Sequence, residues 1–377
     1  MTACDVAVVG LGAMGSATLH ALAKRGRRVI GFERRTPGHA LSSSYGESRV
    51  FRMAYFEDPA YVPLLRRALD AWRGLEHETG EDLLTTTGIL EAGFAGAPLV
   101  EGSRRSAELH GLAHERMTAS QANDRFPAFA LPKDWDCVVQ ADAGVLRPEK
   151  AISAMVAAAC GLGAEARFDT AVLRVEPVGD GVRVVLADGE VVTAGAAVIS
   201  AGPWIGELLP DLGQSLRLTR QPLAWFEPSR PADTGLCVMP IFLLQAPEEV
   251  LYGFPNLFGT GVKFGSHDPC GDLSQADTPR APLSDAEAGS LARAMAKYVP
   301  AAAGPLLRST VCVYTRSPDE HFILGPHPLA SRIVVASPCS GHGFKFASLF
   351  GDVLADLALD GGSVDAIPLF RPDRYLP

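Results

Sequence analysis

Gly10, Gly12 and Gly15 stand as G-x-G-x-x-G inside VAVVGLGAMGSATLHALAKRGRRVIGFERR, and Glu33 closes the second apolar run of that stretch. Each residue type has a task. Gly10 permits a tight turn, Gly12 lets the backbone approach a pyrophosphate, and Gly15 lets a helix pack closely on a strand. A helix that begins there turns its free N–H groups toward the phosphates. Glu33 would accept a hydrogen bond from a ribose hydroxyl and disfavours the extra phosphate of NADP. NAD and FAD both remain. The stretch implies a dinucleotide without fixing its chemistry.

Later stretches carry side chains that could act. In GVKFGSH, period-2 alternation puts Lys263, Gly265 and His267 on one face and Val262 and Phe264 on the other. Turned inward, that face projects a lysine and a histidine together, and a buried lysine needs a partner or a function. Turned outward, it is the polar face of an edge strand. In STVCVYTRSPDEHFILG, Cys312 and Tyr314 share a face, and the default for a free cysteine is a buried, inert thiol. Arg49 and Arg52 share a face if their stretch is helical and not if it is extended; the default is two solvated arginines. Lys345 follows Gly341 and Gly343 in SGHGFKF and is expected in the first turn of the next helix. The helix dipole disfavours a cation there. Such a lysine wants an anion before it, a substrate carboxylate or a reduced flavin; otherwise its ammonium reaches water.

The elements that would position these residues are legible. DVAVVG reads as a strand, MGSATLHALAKRG as a helix ended by Gly26, and RVIGFE as a second strand. Tyr61, Leu64, Leu65, Leu69 and Trp72 fall at helical spacing. Residues 170–210 read as a β-meander with strands near 171–176, 182–187 and 190–193. A separate buried strand at 197–200 then ends at Ala201-Gly202-Pro203-Trp204. A meander feeding a second parallel strand suits flavin-binding domains; a nicotinamide dehydrogenase would more often continue β-α-β-α. Near the C-terminus the chain runs strand, glycine-rich turn, helix, with Phe346, Leu349, Phe350, Val353, Leu354 and Leu357 as the helix's apolar stripe.

The bulk numbers agree with an ordinary folded enzyme. The 377 residues are 47% hydrophobic and 20% charged, enough for a large core and roughly two domains. A net charge of −9 without a long basic run argues against nucleic acid and anionic membrane as partners. Seven scattered cysteines, none spaced C-x-x-C, read as reduced thiols and not as a disulfide framework or metal site, so no metal is expected. The apolar N-terminus carries Asp5 and a glycine fingerprint instead of a basic region and a plain hydrophobic run, so a signal peptide is not expected. No apolar run approaches the roughly 18 residues of a membrane span. A cytoplasmic location is expected.

Together these segments resemble the monomeric sarcosine oxidase family, in the D-amino-acid-oxidase-like flavoprotein group that includes N-methyltryptophan oxidase and pipecolate oxidase. The resemblance covers essentially the whole chain and rests on VGLGAMGSA, GESRVFRMAY, GVKFGSHD, CVYTRSPDEHFILG and SGHGFKFAS in that order. It implies an α/β (α+β) fold in which a Rossmann-like FAD-binding domain (residues 1–84, 147–214 and 325–377) is interleaved with a catalytic domain on a large mixed β-sheet (residues 85–146 and 215–324). It implies FAD bound covalently through Cys312, Lys263 beside flavin N5 where oxygen is reduced, and Arg52 with Lys345 gripping a substrate carboxylate. Tyr252, His267 and Tyr314 would line the substrate cavity, with Arg49 beside the flavin. Further cofactor contacts fall on Gly10, Gly12, Gly15, Glu33, Arg34, Ser42, Ser43, Val172, Gly202, Trp204, Gly341, Gly343, Phe344 and Lys345.

The implied reaction oxidises a secondary amino acid to an imine and reduces oxygen to hydrogen peroxide, in a monomer. Arg49, Arg52, Lys263, His267 and Lys345 would form a positive pocket that selects an anion. Only a neutral amine has the lone pair to drive the oxidation, so the rate should rise with pH. Three positions depart from the family pattern: Tyr45 and Met53 replace histidines expected near the flavin or its entrance, and Leu243 replaces a cavity-lining methionine. They leave the substrate open among sarcosine, larger N-methyl amino acids such as N-methyltryptophan, and cyclic imino acids. An NAD-dependent dehydrogenase and a non-catalytic flavin-binding protein are the readings from other classes.

Overall fold

The computed structural model describes residues 2–375. The apolar run at the N-terminus forms the strand Thr2–Val9, and the helix Ala13–Lys24 returns over it to the strand Val29–Phe32, which pairs parallel with the first. The strand Val191–Ile199 pairs parallel on the other side, from Thr2↔Val192 to Val9↔Ile199. Ala330–Ser337 and Glu165–Arg167 extend this parallel core. One face is covered by Ala13–Lys24, Pro148–Gly161 and the C-terminal helix Ala347–Asp360, whose Leu19, Leu22, Met155, Phe350, Val353 and Leu354 share one apolar cluster.

The meander differs from expectation in one respect. Its third strand and the buried parallel strand are a single element, Val191–Ile199. The N-terminal half pairs antiparallel with Gly181–Leu186 while the whole length pairs parallel with Thr2–Val9. Gly195 marks no turn; a Cβ there would stand 2.9 Å from Asp5 O, so the glycine serves close strand approach.

A second, nine-stranded mixed sheet runs Asp272–Leu273, Arg217–Phe226, Val262–Ser266, Glu249–Phe254, Ile241–Ala246, Ile89–Phe94, Trp135–Gln140, Glu115–Thr118, with Leu306–Arg316 also paired to Arg217–Phe226. Its two faces have different fates, as period-2 alternation requires. Leu90, Ala92, Phe242, Leu244, Leu251, Phe264 and Ala224 pack in one core with the helix Asp285–Tyr298. The other face turns toward the first sheet. Val262–Ser266 is no edge strand: it is hydrogen-bonded on both sides, to Arg217–Phe226 and to Glu249–Phe254. A small third sheet joins Arg49–Phe51, Gly144–Leu146 and Leu84–Thr86. Arg49 is therefore on an extended segment and does not share a helical face with Arg52. Among the described residues no helix is long and apolar enough to cross a membrane.

Candidate active site

The inner face of the second sheet and the C-terminal ends of the parallel strands enclose one elongated cavity of ≈ 340 Å³. Cross-strand register lays out its floor: Leu243 faces Tyr252, Tyr252 faces Gly265, and Gly265 faces Leu223. Leu243, Tyr252 and Leu223 line the cavity, and so do Lys263, His267, Cys312 and Tyr314. The alternation in GVKFGSH thus points inward.

Lys263 is 3% exposed, and Nζ donates to Gly46 O at 2.7 Å, Ser48 O at 3.0 Å and Ser48 Oγ at 3.1 Å. Burial, then Arg49, pushes its pKa well below the ordinary lysine range. Two carbonyls accept from Nζ, and the Ser48 hydroxyl, which can accept or donate, completes its polar shell. Arg49 is equally tied down: it donates to Ser48 O, Ser43 O and Tyr45 O at 2.7–2.8 Å, with Nη2 3.7 Å from Cys312 Sγ. Buried Cys312 thus sits against a guanidinium and opens onto the cavity. Burial pushes His267 down, helped by Arg316, and pushes the hydroxyls of Tyr252 and Tyr314 up.

Arg52 and Lys345 meet farther along the same wall. The expectation of solvated arginines fails here. Arg52 is 2% exposed, lies 4.3 Å from the Tyr55 ring centroid and donates to Ala54 O at 2.9 Å. It also holds Glu57, with Nη2 2.7 and 2.6 Å from the two carboxylate oxygens. Lys345 is likewise buried, and its Nζ donates to His342 O at 2.9 Å. It lies in the single 3₁₀ turn Phe344–Phe346 ahead of the helix Ala347–Asp360, not in that helix's first turn. Burial, then Arg52, lowers its pKa to about 7. Glu57 is held at about 2: burial alone would raise it, and Arg52 above all more than reverses that. His342 Nε2 lies 3.0 Å from Glu320 O, which fixes its tautomer, so Nδ1 accepts from the Tyr55 hydroxyl at 2.6 Å. Burial drops His342 to about 3, so it is neutral.

The opposite end of the cavity fits the adenosine half of FAD. Gly10 has φ +89°, and a Cβ on it would meet Ser200 O at 2.6 Å. A Cβ on Gly15 would stand 1.7 Å from Gly10 O; Gly15 packs the helix onto the turn and does not itself line the cavity. Gly12 faces open space at the start of Ala13–Lys24, where among the described residues no side chain caps the free N–H groups. That is the donor set an anionic pyrophosphate needs. Glu33 is buried, accepts from the N–H groups of Leu11 and Arg35 at 3.0 Å each, and sits 3.5 Å from His39. Its pKa is lowered: burial opposes ionisation, but His39 and these donors outweigh it. Arg34 lies over the Trp204 ring at 4.9 Å and both bind Asp277, Arg34 at 3.0 Å and Trp204 Nε1 at 3.1 Å. Ser42, Ser43, Val172, Gly202, Gly341, Gly343 and Phe344 also line the cavity.

Two expectations need correction. The pocket is not simply positive, because Glu57 lines it and occupies Arg52. Of the three departures from the family pattern, only Leu243 lines the cavity. Met53 is in the apolar core, and Tyr45 contributes its backbone carbonyl to Arg49. Glu57, His342 and His39 were missed. His342 sits inside the quoted SGHGFKF and could have been found there; Glu57 and His39 lie in irregular segments that carry no periodic signal.

The FAD dependent oxidoreductase family matches residues 5–357 of the chain. The chain is 39% identical to monomeric sarcosine oxidase of Streptomyces avermitilis, covering 98% of this chain and 97% of that protein. It is 33% identical to N-methyl-L-tryptophan oxidase of Yersinia pestis, covering 98% and 99%. Among solved structures, the open form of NikD, an unusual amino acid oxidase essential for nikkomycin biosynthesis, superposes with a TM-score of 0.88 at 25% identity, over 99% of this chain and 98% of that one.

Proposed function

This chain belongs to the FAD-dependent oxidoreductase family, and from that premise we propose that it is an oxidase of secondary amino acids of the sarcosine type. The observation that carries the reading is the pairing of two buried cations, Arg52 and Lys345, on one wall of the cavity. A carboxylate is the ligand that such a pair would select. Among the described residues Lys345 Nζ has a single hydrogen-bond acceptor, and Arg52 is held by a glutamate that a substrate carboxylate can replace in kind.

Bound FAD would accept a hydride equivalent from the carbon beside the substrate nitrogen and pass the electrons to oxygen, leaving an imine for water to hydrolyse. The chain's residues do the rest. Arg52 and Lys345 fix the carboxylate, so that the amine end lies over the floor made by Tyr252, His267 and Tyr314; this is catalysis by orientation. Neutral His267 and the tyrosine hydroxyls, held protonated by burial, offer that amine no carboxylate to keep it protonated. Lys263 and Arg49 supply fixed positive charge where negative charge develops. Cys312, buried but open to the cavity, would be the residue that holds the flavin covalently. The chain is read as two interleaved domains, with the expected cuts at 84 and 325 falling inside the strands Leu84–Thr86 and Ile323–His327, and as a monomer, a reading supported by the name of its sarcosine oxidase relatives.

Anaerobic addition of sarcosine, N-methyl-L-tryptophan and pipecolate to the purified yellow protein should bleach the flavin with at least one of them, and admitting air should restore the colour with peroxide formed. Bleaching by NADH, and by none of the secondary amino acids, would refute the assignment. Acid precipitation tests Cys312 separately: the colour should stay with the polypeptide and pass to the supernatant in Cys312→Ala.

A further inference from the structure

Glu91 has no role in the reading above, yet it is the carboxylate built most deeply into the grip. It lies on the strand Ile89–Phe94 and is 0% exposed. Register with Leu243 puts it on the inner face of the sheet, one strand beyond the cavity wall. Gln140 Nε2 donates to Glu91 Oε2 at 3.0 Å, and Gln140 Oε1 accepts from the Ala54 N–H at 2.7 Å. Ala54 O is an acceptor of Arg52, so Gln140 ties Glu91 to the segment that holds the arginine. Among the described residues Glu91 Oε1 has no partner at close hydrogen-bond geometry; the Ser103 hydroxyl interacts with the carboxyl only loosely, and Oε1 stands 3.8 Å from Arg52 Nη1.

The charged groups acting on Glu91 are Arg52 and Glu57, and Glu91 in turn acts on Lys345. Ser103, Gln140 and Leu243, which approach from the neighbouring elements, carry no charge. Burial raises the Glu91 carboxyl to about 7, with Arg52 opposing and Glu57 assisting. It is thus protonated on the acid side of neutrality and ionised on the alkaline side.

The charge count then matters. Arg52 and Lys345 are two positive charges and Glu57 is one negative charge. A substrate carboxylate balances them if Glu91 is neutral. If Glu91 is ionised, a third negative charge sits in a buried cluster that cannot hydrate it. We propose that Glu91 is a positioning residue behind Arg52 whose carboxyl takes up a proton when a carboxylate enters the grip, so that it sets the upper pH limit for binding anionic substrates. The inference rests on the reading that Arg52 and Lys345 receive the substrate's carboxylate.

The test uses acetate, which has no amine to titrate, added to the holoenzyme at constant ionic strength and read by the flavin absorbance. In the native enzyme log Kd should climb with pH above 7, because Glu91 and Lys345 must both be protonated in the complex. Glu91→Gln keeps the shape and removes the titration. The slope should fall by up to one proton, and acetate should bind at least about threefold tighter near pH ~8.5. Glu91→Asp, which keeps an ionisable carboxyl, should retain the steeper slope. Equal slopes in the native and glutamine forms, or uniform weakening at every pH, would overturn the proposal. If the glutamine form does not accumulate, calorimetry on the native enzyme near pH ~8.5 in two buffers of different ionisation enthalpy decides. Uptake of more than one proton per acetate needs a second group beside Lys345; one or fewer overturns it. No acetate binding at any pH would count instead against the carboxylate grip itself.

Discussion

At the scale of single residues, Lys263 is a group fixed in place. Its Nζ is tied to Gly46 O, Ser48 O and Ser48 Oγ, and Arg49 beside it spends its donors on neighbouring carbonyls. Neither group has freedom to follow a substrate. Charge held this way stabilises negative charge at one place without reorganising. Lys263→Met keeps most of the buried stem and removes the charge. Stopped-flow measurement of both half-reactions should show reoxidation by oxygen slowed by about 10²–10³, with reduction by substrate changed far less. Equal slowing of the two steps would remove this role. Lys263 and His267 could be read from the sequence because strand alternation is a local property. Glu57 and Glu91 could not, because an acid declares itself only through the arginine it meets, and that meeting is made by tertiary packing.

The same limit operates on elements. The dinucleotide turn, the second strand and the helix Val62–Thr79 were legible because caps, glycines and apolar period lie within each segment. The strand Val191–Ile199 reads as two pieces in the sequence, while its length is set by pairing with Thr2–Val9. The turn between Ala330–Ser337 and Ala347–Asp360 is the element on which the grip depends most. A Cβ on Gly343 would stand 1.6 Å from Pro338 O, and this is backbone that no side-chain rotation can relieve. Lys345 follows two residues later and Trp72 Nε1 donates to its carbonyl at 2.8 Å, so a displaced turn must carry Lys345 with it. Gly343→Ala should destabilise the protein by about 1–3 kcal/mol or more and raise KM for the amino acid, with a smaller effect on kcat. Thermal unfolding together with steady-state kinetics checks this; an unchanged KM in a folded variant would show that the turn does not place the lysine.

For the molecule as a whole, the cavity wall is assembled from all three sheets. Val9, Val172 and Ala336 come from the first, Leu223, Lys263 and Cys312 from the second, and Arg49 from the third. A ligand filling that cavity touches elements from both ends of the chain, and it binds the folded state alone because no unfolded segment brings these residues together. Binding must then add to stability by mass action, about 2.7 kcal/mol at a free concentration 100-fold above Kd. A covalent link would hide this dependence in the native protein, because the flavin could not leave. Cys312→Ser exposes it. After dialysis to the apoprotein, the melting temperature should rise with added FAD, and circular dichroism and tryptophan fluorescence should report one shared transition at each concentration. A melting temperature indifferent to FAD would mean that the two large sheets hold their arrangement without it, and that the cofactor is a guest of the fold instead of one of its fasteners.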